Sequence, residues 1–196
     1  MSLHQSVTDT LSSWQPDDPA DDAVRQAVLA FVLARPDACE RACVPGHITA
    51  SALVLDHAGQ QAALTLHPRL GRWVQLGGHC EQTDTDIVAA ALREAEEESG
   101  IQGLRIDPSL AALHVHAVTC SLGVPTRHLD MQFVAHAAPG AELVCSDESL
   151  DLRWWPLDGM PEGDYGLTRL ATAASRQMRQ SGEPPNEVEA AQTSVE

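Results

Sequence analysis

Residues 84–101, DTDIVAAALREAEEESGI, limit what this chain can become more than any other stretch does. Four of the five positions from Glu94 to Glu98 are glutamate, in a chain of 196 residues with a formal net charge of −16. Like charges three and four apart on a helix repel by about 0.2–0.5 kcal/mol per pair. These also stand just before Gly100, where a helix would end and its dipole disfavours negative charge. The spacing predicts a helix over Asp84–Ser99, capped by Thr83, Asp84 or Thr85 and stopped by a left-handed Gly100. Val88, Ala91, Leu92 and Ala95 form its apolar stripe, small enough to lie close against a sheet. On the other side Glu94, Glu97 and Glu98 share one face, at i, i+3 and i+4. Arg93 lies beside them and can pair with one carboxylate, while Glu96 points away and reads as a solvated charge. Hard oxygen ligands crowded on an anchored face suit Mg²⁺ or Mn²⁺, and a bound dication would turn the mutual repulsion into attraction.

Charge narrows the partners. The chain has 12 basic residues against 28 acidic ones, and every basic residue is an arginine. This balance argues against sequence-independent binding to nucleic-acid duplexes or anionic membranes, which need clustered positive charge. An acidic protein that acts on phosphates needs bound cations. Cys39, Cys43, Cys80, Cys120 and Cys145 are odd in number and irregularly spaced, the pattern of reduced thiols and not of a disulfide framework. Cys39, Cys43 and His47 invite a zinc reading, but no fourth ligand is evident, so packing or surface thiols are expected instead. No signal peptide and no apolar run near the ~20 residues of a membrane span are visible, which points to the cytoplasm.

Along the chain, a polar opening leads into an amphipathic helix at DDAVRQAVLAFVLAR, with Val24, Ala27, Val28, Phe31 and Val32 on one stripe. That stripe needs covering, by the domain itself or by a second subunit in a homodimer. HITASALVLD and QAALTLH read as a hairpin, and WVQLGG as a short strand running into paired glycines. LAALHVHAVTC, RHLDMQFVAHA and LDLRWWPL read as further strands, and DYGLTRLATAASRQMRQ as a closing helix. The expected division is an N-terminal extension at 1–45, a mixed α+β domain at 46–180, and an acidic, disordered tail at 181–196.

The segment GGHCEQTDTDIVAAALREAEEESGI resembles the Nudix box, G-x5-E-x7-R-E-U-x-E-E-x-G-U, where U is a bulky aliphatic residue. Gly78 matches its first glycine. Arg93, Glu94, Glu97, Glu98, Gly100 and Ile101 match its second half in unbroken spacing, with Ala95 in place of the aliphatic. Asp84 stands where the first glutamate belongs, and a one-residue insertion separates it from Arg93. The order of the other elements, from about His47 to Arg179, also resembles that family. The resemblance implies an α/β/α sandwich with a mixed sheet. It further implies hydrolysis of a nucleoside diphosphate linked to another moiety, with Mg²⁺ or Mn²⁺ on Glu94, Glu97, Glu98 and the carbonyl of Gly78. Glu81 is a common neighbour of such sites.

Breaking a P–O–P link requires charge neutralisation and an activated water, which divalent ions and a spare carboxylate supply. Glu97 or Glu98 is the expected general base, and the resemblance implies a further acidic ligand or base at Glu148. Arg69, Arg72 and Arg127 lie in loops able to reach a phosphate. His114 and His116 on one strand and His128 and Asp130 on the next could meet across a hairpin, to grip substrate or bind another ion. Trp73, Trp154 and Trp155 could stack a base, although packing is the commoner use. The rival to a hydrolase is a catalytically silent domain of the same fold that senses nucleotides or binds a partner.

Overall fold

In this computed structural model, residues 1–119, 123–145, 149–161 and 165–180 are described; Glu148 and the expected tail lie outside them. The strand β1 (His47–Leu55) is buried at all nine positions, and its neighbours explain why. Along one edge it pairs in parallel with β7 (Pro125–His136) from His47↔His128 to Leu55↔His136. The other edge forks: β4 (Leu76–His79) pairs antiparallel with residues 49–52, and β2 (Gln61–His67) with Val54 and Leu55. β3 (Arg72–Val74) and β8 (Leu152–Pro156) extend the sheet from β2. β5 (Arg105–Ile106) and β6 (Ala112–Thr119) share the far edge of β7. Among the described residues the result is one eight-stranded mixed sheet, within an α+β fold of four helices.

The sequence WVQLGG is not a single strand. It breaks at Gln75 into β3 and β4, because its two halves pair with different neighbours. At Gly77 (φ 154°) a Cβ would fall 2.5 Å from the Ser51 Cα and 2.6 Å from the Ala50 carbonyl oxygen. Only glycine lets β4 lie this close to β1.

The two faces of the sheet differ in chemistry. Ile48, Ala50, Leu129, Met131 and Phe133 point into a core beneath helix α3 (Ile87–Ser99). Its buried residues are Ile87, Ala90, Ala91, Ala95 and Ser99; Val88 and Leu92 sit at the rim. The expected cap moves as well. Asp86, and none of Thr83, Asp84 or Thr85, accepts the Ala89 N–H at 2.9 Å, so the helix starts at Ile87. Gly100 ends it at φ 70°, as the sequence implied. On the opposite face, helix α4 (Tyr165–Gln180) covers Leu53, Leu55 and Val134 through Leu167, Leu170 and Ala174. That face turns polar toward the start of β1 and β7, where His47, Thr49, Ser51, His128, Asp130 and Gln132 alternate with the apolar set.

Two helices precede the sheet. α2 (Pro19–Ala34) starts at Asp18, which accepts the Ala20 N–H, with Pro19 at its first position. α1 (Leu3–Ser13) has little signal in the sequence, because only Leu3, Val7 and Leu11 mark its apolar side in an otherwise polar stretch. Val7, Leu11, Val28 and Val32 are buried in the same core as Ile87, Met131 and Phe133, with Val24 and Phe31 partly buried against it and Ala27 exposed, so most of the α2 stripe is covered within this chain. Each such side chain contributes about 1.5–3 kcal/mol when removed from water. Deleting residues 1–35 therefore strips four anchors from the central core. The expected result is a truncated chain that aggregates or melts far below the full-length protein by circular dichroism. An unchanged melting temperature would mean that the helices are ornamental.

Candidate active site on helix α3 and strand β4

The glutamate face of α3 meets the glycines of β4. Glu98 Oε2 accepts the Gly77 N–H at 2.9 Å. A Cβ on Gly78 would lie 2.6 Å from Glu94 Oε2, so glycine at this position makes room for the Glu94 carboxylate. The side chains of Glu94 and Glu97 are 15% and 60% exposed, a gradient from the strand outward to solvent.

Arg93 organises the cluster more widely than the single pairing expected of it. Its Nη1 donates to Glu94 Oε1 and to Glu97 Oε2, both at 3.0 Å. Nη2 and Nε donate to Asp84 at 3.0 and 3.3 Å, and Nη2 also reaches the His79 carbonyl at 3.2 Å. Burial opposes the charge on Arg93, but hydrogen bonding to Asp84 and the Glu94 charge outweigh it and push its pKa up. Burial likewise raises the Asp84 pKa, yet the Arg93 hydrogen bond and the Glu81 N–H bring it below the usual carboxylate range. The turn at 81–84 folds back, the Asp84 N–H donates to the Glu81 carbonyl, and the Asp84 carboxylate, 8% exposed, reaches Arg93.

Glu96 is not merely solvated. Its Oε1 accepts from the Gly103 and Leu104 N–H groups at 2.7 and 3.2 Å, tying down the loop after the helix. Sequence reading misses this because the partners come after the helix stop.

The other expected residues are spread more widely. Arg69 and Arg72 are exposed around the β2–β3 hairpin, and Arg127 is exposed with Nη1 on the Pro45 carbonyl at 3.3 Å. Trp73 and Trp155 pack edge to face at 5.2 Å beside the α4 core. On the polar face of the sheet, register sets His116 opposite His128 and His114 opposite Asp130. Asp130 is buried and accepts from Thr49, Ser51, Gln75 and Gln132 at 2.8–3.2 Å. His128 meets the His116 ring at 5.2 Å and also faces His47 and His79, two residues that reach it from other strands. Burial, and after it the neighbouring Arg41, lowers His79 to about 3; burial and the His116 and His47 rings lower His128 to about 4. These imidazoles are neutral near pH 7.

A cleft of about 800 Å³ opens elsewhere, between the start of α2 and α4, lined by Asp18, Asp21, Arg169 and Arg176 and by none of the glutamates of α3. Arg169 is there paired with Asp21. Among the described residues no helix is long and apolar enough to cross a membrane.

A family model described as the NUDIX domain matches residues 45–178. No curated protein shows a significant match to the sequence. Among solved structures, the chain is similar to a C. elegans Ap4A hydrolase in a binary complex, at 21% identity and TM-score 0.53, covering 68% of this chain and 98% of that one. It is also similar to a MutT protein from Methanosarcina mazei Go1, at 20% identity and TM-score 0.51, covering 71% and 97%. A third is the NUDIX domain of Shewanella oneidensis NrtR complexed with ADP ribose, at 21% identity and TM-score 0.51, covering 76% and 97%. At these identities the likeness is one of fold.

Proposed function

From the premise that this chain belongs to the Nudix family, we propose that it is a metal-dependent pyrophosphohydrolase. Its substrate is a nucleoside diphosphate linked to another moiety, of the nucleotide-sugar, dinucleotide or nucleoside triphosphate class. The observation that carries this reading is the meeting of Glu94 and Glu98 with Gly78 and Gly77, under the clamp of Arg93. A binding module has little use for three crowded carboxylates whose repulsion must be offset.

The donor set fits a hard dication. It consists of carboxylate oxygens on a rigid helix, with the space beside Gly78 filled by Glu94 and not by a side chain of its own. Glu94, Glu97, Glu98 and the Gly78 carbonyl would hold Mg²⁺ or Mn²⁺, which supplies charge neutralisation to the phosphoryl oxygens and acidity to the attacking water. The protein's own residues do the rest. Arg93 fixes the rotamers of Glu94 and Glu97. Glu98 holds β4 at its place through the Gly77 N–H. Glu97, the most exposed of the three carboxylates on Arg93, takes the proton from the attacking water, with Glu98 as the alternative acceptor. Glu148, outside the described residues, enters this scheme only as a further acidic ligand or base. The polar face with His116, His128 and Asp130 lies on the other side of β4; in this scheme it grips the non-transferred part of the substrate or holds a further ion.

The test is a panel of nucleoside diphosphate derivatives incubated with the full chain and Mg²⁺ or Mn²⁺. Turnover that disappears with a chelator supports the reading. Tight nucleotide binding without turnover on any member would instead make the chain a sensing module.

A further inference from the structure

We infer that His47, His79 and His128 form a second metal site, for a nitrogen-seeking d-block dication of the Zn²⁺ type, distinct from the glutamate cluster. The three residues start β1, end β4 and lie near the start of β7, strands that are neighbours in the sheet. Their rings form a nearly equilateral triangle, with centroids 5.1, 5.1 and 4.9 Å apart. One ring nitrogen from each lies within 4.8 Å of the others. Nitrogens bound to tetrahedral zinc at roughly 2.0–2.1 Å stand about 3.3 Å apart, so modest ring rotations close the set.

The state of the rings points the same way. His47 is 1% exposed, and its Nδ1 faces the Cys43 carbonyl at 3.4 Å. A carbonyl only accepts, so in the tautomer that makes this contact the proton is on Nδ1 and Nε2 carries the lone pair. A histidine ligand ordinarily has this arrangement, one nitrogen on a backbone carbonyl and the other on the metal. The Nε2 atoms of His47 and His128 are both buried and have no hydrogen-bond partner among the described residues. Leaving two imidazole nitrogens unsatisfied inside a protein is unfavourable, and a shared metal satisfies both at once. His116, whose ring lies 5.2 Å from that of His128, stands where a fourth ligand can approach. Imidazole donors select Zn²⁺, Ni²⁺ or Cu²⁺ over Mg²⁺, so the two sites sort their ions by chemistry. They also share a strand: the His79 carbonyl is held by Arg93, while the His79 ring belongs to the triangle.

The experiment titrates Zn²⁺ into metal-stripped full-length protein in excess Mg²⁺, followed by calorimetry. One equivalent should bind tightly. In His47→Ala and His128→Gln its affinity should fall at least a hundredfold, whereas Glu97→Gln should bind as the parent does. X-ray absorption at the zinc edge of the parent protein should show imidazole scattering, and this reading does not depend on any variant folding. No saturable Zn²⁺ binding in excess Mg²⁺ would overturn the inference. So would an edge showing only oxygen or sulfur ligands, or Zn²⁺ binding lost in Glu97→Gln and kept in the folded histidine variants.

Discussion

Glu97→Gln is expected to lower turnover on any substrate of this protein by about two orders of magnitude or more, the scale of losing a metal-assisted or general-base step. Glutamine keeps the shape and an oxygen for the Arg93 contact, but it removes the charge and the proton-accepting power. Since the Glu97 side chain is 60% exposed, the fold should not suffer. Without metal the melting temperature should hold or rise slightly, because a like-charge repulsion within the helix is relieved. Apparent Mn²⁺ affinity should fall alongside turnover. Glu96→Gln is the matched control: it keeps an acceptor for the Gly103 and Leu104 N–H groups and lies off the metal-facing side. Steady-state kinetics of the two variants decides the matter. Equal activity in both would remove Glu97 from the site.

Arg93→Met should do damage of a different kind, to stability and activity together. The guanidinium, 22% exposed, is the partner of Asp84, which is only 8% exposed, and of Glu94 and Glu97. Methionine fills much of the volume but leaves a nearly buried carboxylate without its cation. Breaking a buried pair in this way costs roughly 3–5 kcal/mol, and partial solvation here brings the expectation to about 2–3 kcal/mol. For a chain of this size the melting temperature should drop by about 5–10 °C. Asp84→Asn placed on top should return part of that loss, since the stranded charge is gone. Activity should stay low in the double variant, because Glu94 and Glu97 remain untethered. Thermal melts of the four members of this cycle test the claim; an Arg93→Met protein as stable as the parent would show that Arg93 does not hold the cluster together. Arg93→Lys should rescue little, as an ammonium lacks the planar fork that reaches four partners.

Much of the fold is legible in the chain's own residue pattern. The stripe of Val88, Ala91, Leu92 and Ala95 opposite Glu94, Glu97 and Glu98 implies a helix pressed on a sheet, although Val88 and Leu92 end at its rim, and Gly100 implies its end. β1, β2, β6, β7 and β8 follow from their runs of strand-forming residues, with boundaries close to those found. What escapes shares a cause. α1 carries too few apolar residues to signal a helix, and it exists because Val7 and Leu11 find the core beneath α3. β5, at two residues, is defined only by its pairing with β7. The helix cap shifts to Asp86, where the Ser6 hydroxyl from α1 reaches its carboxylate and also accepts the Ile87 N–H.

The glutamate face can be read along the chain, because i, i+3 and i+4 spacing lies within one helix, where local geometry alone sets which side chains are neighbours. The histidine triangle arises from folding. His47, His79 and His128 come from three strands, and no spacing along a chain records which strands become neighbours or in what register. Sheet pairing did that, setting His47 beside His128 and the end of β4 against Thr49. The same holds for Arg93: its place beside Glu94 was written in the sequence, but its hold on Asp84 and on the His79 carbonyl depends on the path of the 79–86 turn, which the helix and β4 fix from both ends.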